Sequence, residues 1–345
     1  MTNSNKIKVG IFGGSGYGGS ELLRILLFHP AFEVAFVSAG EHAGKPVASV
    51  HKNLNKLTDL AFISSEKALE LTNQVNAIFL ALPHGQAIEI VPQLSENIVV
   101  IDLSGDFRLD DESIFLRYYK REHPGNIQKK FVYGITELNR EEISNARLIS
   151  NPGCFATATL LALGPLYKEG LVVGSAIIDA KTGSSGSGAK AAQNTHHPQR
   201  SNSFYAYKPF EHQHLPEIKQ TLDKLGAKPA DLIFTTHSMP VSRGIFASCY
   251  VELSDKLSQK DLQNVFQSFY EDSFFVRLVE TSPDINWVKN TNFCDIAVNT
   301  DGKFAAVFSA IDNLVKGAAG QAVQNLNLIM GRPETEGLIF TGSNP

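Results

Sequence analysis

The chemistry of this chain centres on a cysteine that follows a Pro-Gly turn and opens an apolar run: Asn151-Pro152-Gly153-Cys154-Phe155-Ala156-Thr157. Residues 156–163 read as a helix, which puts the thiol at a helix N-terminus. Unbonded backbone amides and the helix dipole favour the thiolate there. A thiolate so placed is a nucleophile able to form a covalent intermediate. The other two cysteines read differently: Cys249 lies inside a strand-like run, and both Cys249 and Cys294 fit the buried, inert role. Further on, Glu211-His212-Gln213-His214-Leu215-Pro216-Glu217-Ile218 brings together two histidines and a glutamate. That set suits an acid–base group with an orienting partner. Metal binding is disfavoured, because histidines two apart diverge on a helix and no further ligand cluster offers itself. His196-His197-Pro198 reads as loop.

A second set of residues suits a dinucleotide. Gly13-Gly14-Ser15-Gly16-Tyr17-Gly18-Gly19 spaces glycines as G-x-x-G-x-x-G between a strand at 7–12 and a helix at 20–28. Glycines there let the backbone approach a pyrophosphate, with helix amides as donors. NAD enzymes usually carry an acid at the tip of the second strand. Here that strand ends in Ser38-Ala39-Gly40, which favours the 2′-phosphate of NADP, although Glu41 lies close by. The loop Lys181-Thr182-Gly183-Ser184-Ser185-Gly186-Ser187-Gly188 resembles a P-loop but lacks the Gly-Lys-Ser/Thr ending. Its amides and hydroxyls suit a phosphate. Arg108 in Asp102-Leu103-Ser104-Gly105-Asp106-Phe107-Arg108, and Arg243 in Ser242-Arg243-Gly244, are forks suited to carboxylate or phosphate.

The elements that must position these residues follow from pattern. Strand candidates at 32–37, 77–82 and 98–103, with a helix at 86–94, predict a parallel doubly wound sheet in an α/β fold. After about residue 150, runs at 175–180, 232–239, 244–252 and 303–311 alternate more and predict a mixed or antiparallel sheet. A last helix at 318–330 is rich in small residues and is expected to pack on the first domain. The chain has 345 residues, 43% hydrophobic and 19% charged, which fits two globular domains. A net charge of −4 argues against a nucleic-acid surface. No apolar stretch is long enough to span a membrane. Residues 1–8 lack the apolar core of a secretory signal. Three widely spaced cysteines form no disulfide framework, so a cytoplasmic location is expected.

Taken together and in this order, Gly-x-x-Gly-x-x-Gly, Asp-Leu-Ser-x-Asp-Phe-Arg (102–108), Asn-Pro-Gly-Cys (151–154), Lys-x-Gly-x-Ser-Gly-x-Gly (181–188) and His-x-His-x-Pro-Glu-Ile (212–218) resemble the N-acetyl-γ-glutamyl-phosphate reductases, relatives of aspartate-semialdehyde dehydrogenase. The resemblance spans essentially the whole chain. It implies a Rossmann domain at 1–152 completed by 313–345, and an α+β catalytic and oligomerisation domain at 153–312. It further implies a homo-oligomer, dimer or tetramer, acting on a small molecule. Cys154 would be the nucleophile and His212 the acid–base group. Asn151, Tyr207, His214 and Glu217 would line the substrate site, and Arg108 and Arg243 would meet substrate anions. Gly13, Ser15, Gly16, Tyr17, Gly18, Ser38, Ser185, Gly186 and Gln321, within the stretch Gly317-Ala318-Ala319-Gly320-Gln321, would face NADP. The implied reaction reduces an N-acyl-γ-glutamyl phosphate to the semialdehyde in arginine or ornithine biosynthesis. Aspartyl phosphate and a carrier-bound aminoadipyl phosphate are the alternatives. Two departures stand out. Relatives often have Ser-Arg where Ala39-Gly40 stand, and Tyr-Pro-Thr where Phe155-Ala156-Thr157 follow the cysteine.

Overall fold

A computed structural model describes residues 6–226 and 231–342; the first five residues of the polar start lie outside it. The chain divides into two compact units. One comprises the described part of Met1–Pro152 with Ala318–Ile339, and the other Gly153–Gly317 with the described part of Phe340–Pro345. The return to the first unit thus comes at 318 rather than 313, and residues 340–342 belong with the second unit.

The first unit is built on seven parallel strands: β1 (Ile7–Phe12), β2 (Phe32–Ser38), β3 (Phe62–Ile63), β4 (Ala77–Leu80), β5 (Val99–Asp102), β6 (Val132–Tyr133) and β7 (Leu148–Ser150). Their order is β3-β2-β1-β4-β5-β7-β6. Runs such as Ala77–Leu80 are buried throughout, as expected where helices cover both faces of a parallel sheet. The first helix starts at Tyr17, ahead of the expected Ser20, because the turn's glycines are themselves helical. Gly19 must be glycine: a Cβ there would lie 2.5 Å from the Gly13 carbonyl oxygen. The helix expected at 86–94 is split, with α-helix at Gln86–Ile90 and a 3₁₀ turn at Val91–Gln93. Pro92 lacks the amide needed to continue the α-helical ladder. The C-terminal helix Gly320–Ile329 packs on Thr136–Ser144 through buried polar ties: Thr136 Oγ1 donates to Asn325 Oδ1 at 2.8 Å and Asn325 Nδ2 to the Gly134 carbonyl at 2.8 Å.

The second unit carries a mixed sheet of β8 (Val172–Thr182), β9 (Tyr205–Tyr207), β10 (Leu232–Ser238), β11 (Ile245–Leu253), β12 (Val276–Leu278), β13 (Cys294–Thr300) and β14 (Phe304–Ile311). The order is β12-β13-β14-β11-β8-β10-β9, antiparallel except for the β8/β10 and β12/β13 pairs. Residues alternate in burial, as period-2 strands require. Ala176, Ile178, Phe234 and Cys249 are buried, whereas Ile177, Ile233, Tyr250 and Phe304 are exposed on the opposite face. The helix Cys154–Lys168 is buried from Phe155 to Tyr167 and is the spine of this unit. Among the described residues no helix is long and apolar enough to cross a membrane.

Candidate active site

Cys154 is the first residue of that buried helix. Gly153, in extended conformation (φ −71, ψ 148), is its N-cap, and the Thr157 amide donates to the Gly153 carbonyl at 2.9 Å to close the first turn. Leu171 N–H to Leu166 O at 2.9 Å, with Gly170 at φ 65, stops the helix in a Schellman-like turn. A helix end of this kind directs its first amides and the positive end of its dipole at the thiol. Cys154 is partly exposed, whereas Cys249 and Cys294 are buried. Burial pushes the Cys249 thiol up to about 12, so it stays protonated and unreactive.

The histidine motif lies against the same helix. His212 precedes the helix His214–Lys224 and is 5% exposed. Its ring meets Phe155 edge-on at 5.2 Å between centroids, with Phe234 at 5.8 Å, Tyr207 at 5.9 Å and His214 at 4.7 Å. Burial in this aromatic shell, with the Lys208 charge adding to it, pushes the imidazole down to about 3. His212 is therefore neutral at ordinary pH. Its Nδ1 accepts the His214 amide at 3.2 Å, so the neutral ring carries its proton on Nε2. The turn leading in is strained: Lys208 and Phe210 both have positive φ, at 46 and 60. Such residues carry of order 1–3 kcal/mol each and cluster at working sites. Tyr207 titrates above the usual phenol range, first through burial and then through the neighbouring Cys154 charge.

Other expected site residues have structural bonds of their own. Glu217 is fully buried and its Oε1 accepts the Gly153 amide at 2.8 Å. Arg243 forks the buried Asp312 carboxylate, Nε to Oδ2 at 2.9 Å and Nη2 to Oδ1 at 3.0 Å. In the first unit, Arg108 donates to two backbone carbonyls, Asn151 at 2.8 Å and Leu103 at 3.1 Å. Asn151 is enclosed, donating to the Ala318 carbonyl at 3.1 Å and accepting from Asn325 at 3.2 Å.

The glycine turn fits a dinucleotide. Cβ atoms on Gly16 and Gly18 would meet nothing closer than 4.0 Å, so the backbone there is open to a large anion. Gly16 caps the helix Tyr17–Leu26, whose first amides face that opening. The amides of Gly13 and Gly14 are spent on the Ser38 carbonyl at 3.1 and 2.8 Å. Two cofactor-side expectations change. Ser38 is 1% exposed with its hydroxyl enclosed, so it serves the turn through its carbonyl. Gln321 is fully buried and donates to Thr136 Oγ1 at 2.8 Å, tying two helices together. In the second unit, Ser185 is held by Asn313 Nδ2 at 3.0 Å and by its own amide on the Ser242 carbonyl at 2.9 Å, while Gly186 is exposed.

Sequence reasoning missed Asp312, and it placed Gly317 on the cofactor side. Asp312 accepts from Arg243, Asn290, Leu314 and Val315 and organises the π-helical turn Val315–Ala319. Gly317, in that turn, lies directly on Cys154: a Cβ on Gly317 would be 2.7 Å from the cysteine Cβ. The run Asp312-Asn313 at the end of a strand was the available signal.

Comparison with known proteins agrees with this layout. The semialdehyde dehydrogenase NAD binding domain matches residues 8–146, and the semialdehyde dehydrogenase dimerisation domain matches 154–313. An N-acetyl-gamma-glutamyl-phosphate reductase of Methanocaldococcus jannaschii is 42% identical, covering 98% of this chain and 99% of its own. One from Clostridium novyi is 42% identical over 96% and 98%. The chain belongs to the N-acetyl-γ-glutamyl-phosphate reductase family. A putative [LysW]-L-2-aminoadipate/[LysW]-L-glutamate phosphate reductase of Pyrobaculum calidifontis is 41% identical over 96% of this chain and 97% of its own. The fold is that of aspartate semialdehyde dehydrogenase II of Vibrio cholerae, at TM-score 0.72 and 18% identity, covering 95% of this chain and 99% of that one. Family members of this kind are oxidoreductases that bind a nicotinamide cofactor, and this chain is one of them.

Proposed function

We propose that the protein reduces N-acyl-γ-glutamyl phosphate to N-acyl-glutamate 5-semialdehyde and phosphate, with NADPH, through a thioester on Cys154. The observation that carries this reading is a partly exposed cysteine at the start of a buried helix, with a histidine kept neutral by burial packed on Phe155, the next residue. The Cys154 thiolate attacks the acyl carbonyl. The carbon–oxygen bond to phosphate breaks and phosphate leaves with the electron pair. The helix amides and the Nε2 proton of His212 receive the charge that develops on the carbonyl oxygen. When bound, the reduced nicotinamide supplies the hydride. Hydride addition turns the thioester into the oxyanion of a hemithioacetal, to which the Nε2 proton of His212 is again hydrogen-bonded. Collapse breaks the carbon–sulfur bond, releases the aldehyde and returns the thiolate. The aromatic shell of Phe155, Tyr207 and Phe234 keeps out the water that would hydrolyse the thioester. Arg108 and Arg243 are the candidates for the substrate's anionic groups.

The open apolar face at Ile177, Ile233, Tyr250 and Phe304 supports a homo-oligomer formed through the mixed sheet. NADP over NAD is supported by the absence of an acid at the end of β2, with exposed Lys45 as the candidate cation for a 2′-phosphate. A cytoplasmic setting fits a biosynthetic enzyme with free thiols. The test runs the reaction backwards: N-acetylglutamate 5-semialdehyde, phosphate and NADP⁺ should give NADPH only when all three are present. N-succinyl and aspartate semialdehydes serve as comparisons. The 41% identity to the Pyrobaculum calidifontis protein motivates the second reading, an aminoadipyl or glutamyl phosphate on a carrier protein. It predicts turnover of the carrier-borne semialdehyde and none of the free one.

A further inference from the structure

We infer that Glu217, together with His214, is a positioning residue for Cys154, gripping Gly153 so that the nucleophile's helix starts at a defined place. The inference rests on the reading of Cys154 as nucleophile. It departs from the expectation that Glu217 and His214 touch the substrate. Glu217 is fully enclosed, with no surface to offer a ligand. Its Oε1 holds the Gly153 amide at 2.8 Å, the last N–H before the cysteine. His214 and Glu217 lie three apart on one helix and so share a face. The His214 ring lies directly on the Gly153 Cα: a Cβ on that residue would stand 2.3 Å from Nε2 and 2.6 Å from Cδ2 and Cε1. One turn of one helix therefore holds Gly153 at its amide and at its α-carbon.

The consequence falls on Sγ. Gly153 is the N-cap, and its carbonyl closes the first turn by accepting from Thr157 N–H at 2.9 Å and Thr157 Oγ1 at 3.2 Å. With amide, α-carbon and carbonyl all engaged, the peptide that carries Cys154 has one orientation. Cys154 Cβ is also met by Gly317. Misplacing a reacting group by about an ångström costs on the order of a hundredfold in rate, so such a clamp bears on catalysis without touching substrate.

The test reads the thiol as well as the reaction. The second-order rate of Cys154 alkylation by iodoacetamide is measured beside kcat and KM for Glu217→Ala, Glu217→Gln, Gly153→Ala and the Gly153→Ala/His214→Ala pair, with circular dichroism as a check on folding. Glu217→Ala is expected to lower both alkylation and kcat by roughly ten- to a hundredfold, with KM for the acyl phosphate within about twofold. Glu217→Gln keeps an acceptor oxygen for the Gly153 amide and should restore alkylation to within about threefold of the parent. Gly153→Ala should reproduce the loss, and the added His214→Ala should relieve it in part. If Glu217→Ala does not fold, the Gly153/His214 pair decides by the same readout. A raised KM with unchanged alkylation would make Glu217 a substrate contact and overturn the inference. So would equal alkylation loss in Glu217→Ala and Glu217→Gln, or Gly153→Ala reacting at the parent rate. Alkylation reports thiol position whatever reaction the enzyme performs, so a failure of the proposed reaction leaves this result readable.

Discussion

Gly317→Ala should disable the enzyme while leaving it folded. The alanine Cβ would lie 2.7 Å from Cys154 Cβ, 3.2 Å from its Cα and 3.3 Å from the Asp312 carbonyl oxygen. Carbon atoms in ordinary contact stand about 3.5–4.0 Å apart, so one of the two elements must withdraw by roughly an ångström. Neither is free to do so. The Gly317 amide donates to the Asp312 carbonyl at 2.9 Å, and the Asp312 carboxylate is held by Arg243 and three backbone amides. On the other side, Gly153 is held by Glu217 and covered by the His214 ring. Overpacking of this kind typically destabilises by about 1–3 kcal/mol. The same displacement applied to a nucleophile should lower kcat on the order of a hundredfold. Urea unfolding gives the first quantity, and steady-state kinetics with iodoacetamide alkylation of Cys154 gives the second. Parent-like kcat and alkylation would refute the contact between the π-helical turn and the cysteine as a determinant of thiol position.

Three further outcomes concern His212 and Asp102. His212→Ala should lower kcat by roughly 10²–10³, the usual worth of a lost oxyanion donor. Because the imidazole is pushed down to about 3, the free enzyme's kcat/KM should show no His212 ionisation between pH 5 and 8; a break near 6.5 that vanishes in the variant would contradict the buried, neutral ring. Asp102 is fully buried, with Oδ1 accepting the Ser104 amide at 3.0 Å and Oδ2 unpartnered, and burial raises its carboxyl from 3.8 to about 6. Below about pH 3 both folded and unfolded chains hold this proton. As pH rises towards 6 the unfolded chain releases it first, so stability falls by about 3 kcal/mol over that window (2.2 pKa units at 1.36 kcal/mol each). Asp102→Asn should flatten that part of the urea stability–pH curve, and an unchanged slope would show that Asp102 is not its source.

Much of the architecture was legible because hydrophobic period is local. β1 stands where the sequence predicts it, and β2 extends the expected run by one residue to Ser38. The first helix starts earlier than its pattern suggests because Gly18 and Gly19 are poor helix formers, and the place of Gly19 is set by packing on Gly13. The alternation after residue 150 correctly signalled a mixed sheet, though the helix at Cys154 runs further than the expected 163, through Pro165 to Lys168. Cysteine and histidine announce candidate chemistry by type, so Cys154 and His212 stand out in the sequence as candidates. What Glu217, Arg243 and Gln321 do was not legible there, since their partners Gly153, Asp312 and Thr136 lie 64, 69 and 185 residues away. A carboxylate that holds a backbone amide and one that holds a substrate have the same letter in the sequence. Gly317 illustrates the limit: its value is the Cβ it lacks against a residue far back in the chain.

The thioester on Cys154 is tested most directly by mixing the enzyme with N-acetyl-γ-glutamyl phosphate in the absence of reduced cofactor, quenching in acid and mapping the adduct by mass spectrometry. The expected result is one acyl group on the peptide carrying Cys154, lost on adding NADPH with formation of the semialdehyde, and absent from Cys154→Ala, which should be inactive. An acyl group on any other residue, or a Cys154→Ala enzyme that still reduces the substrate, would contradict it.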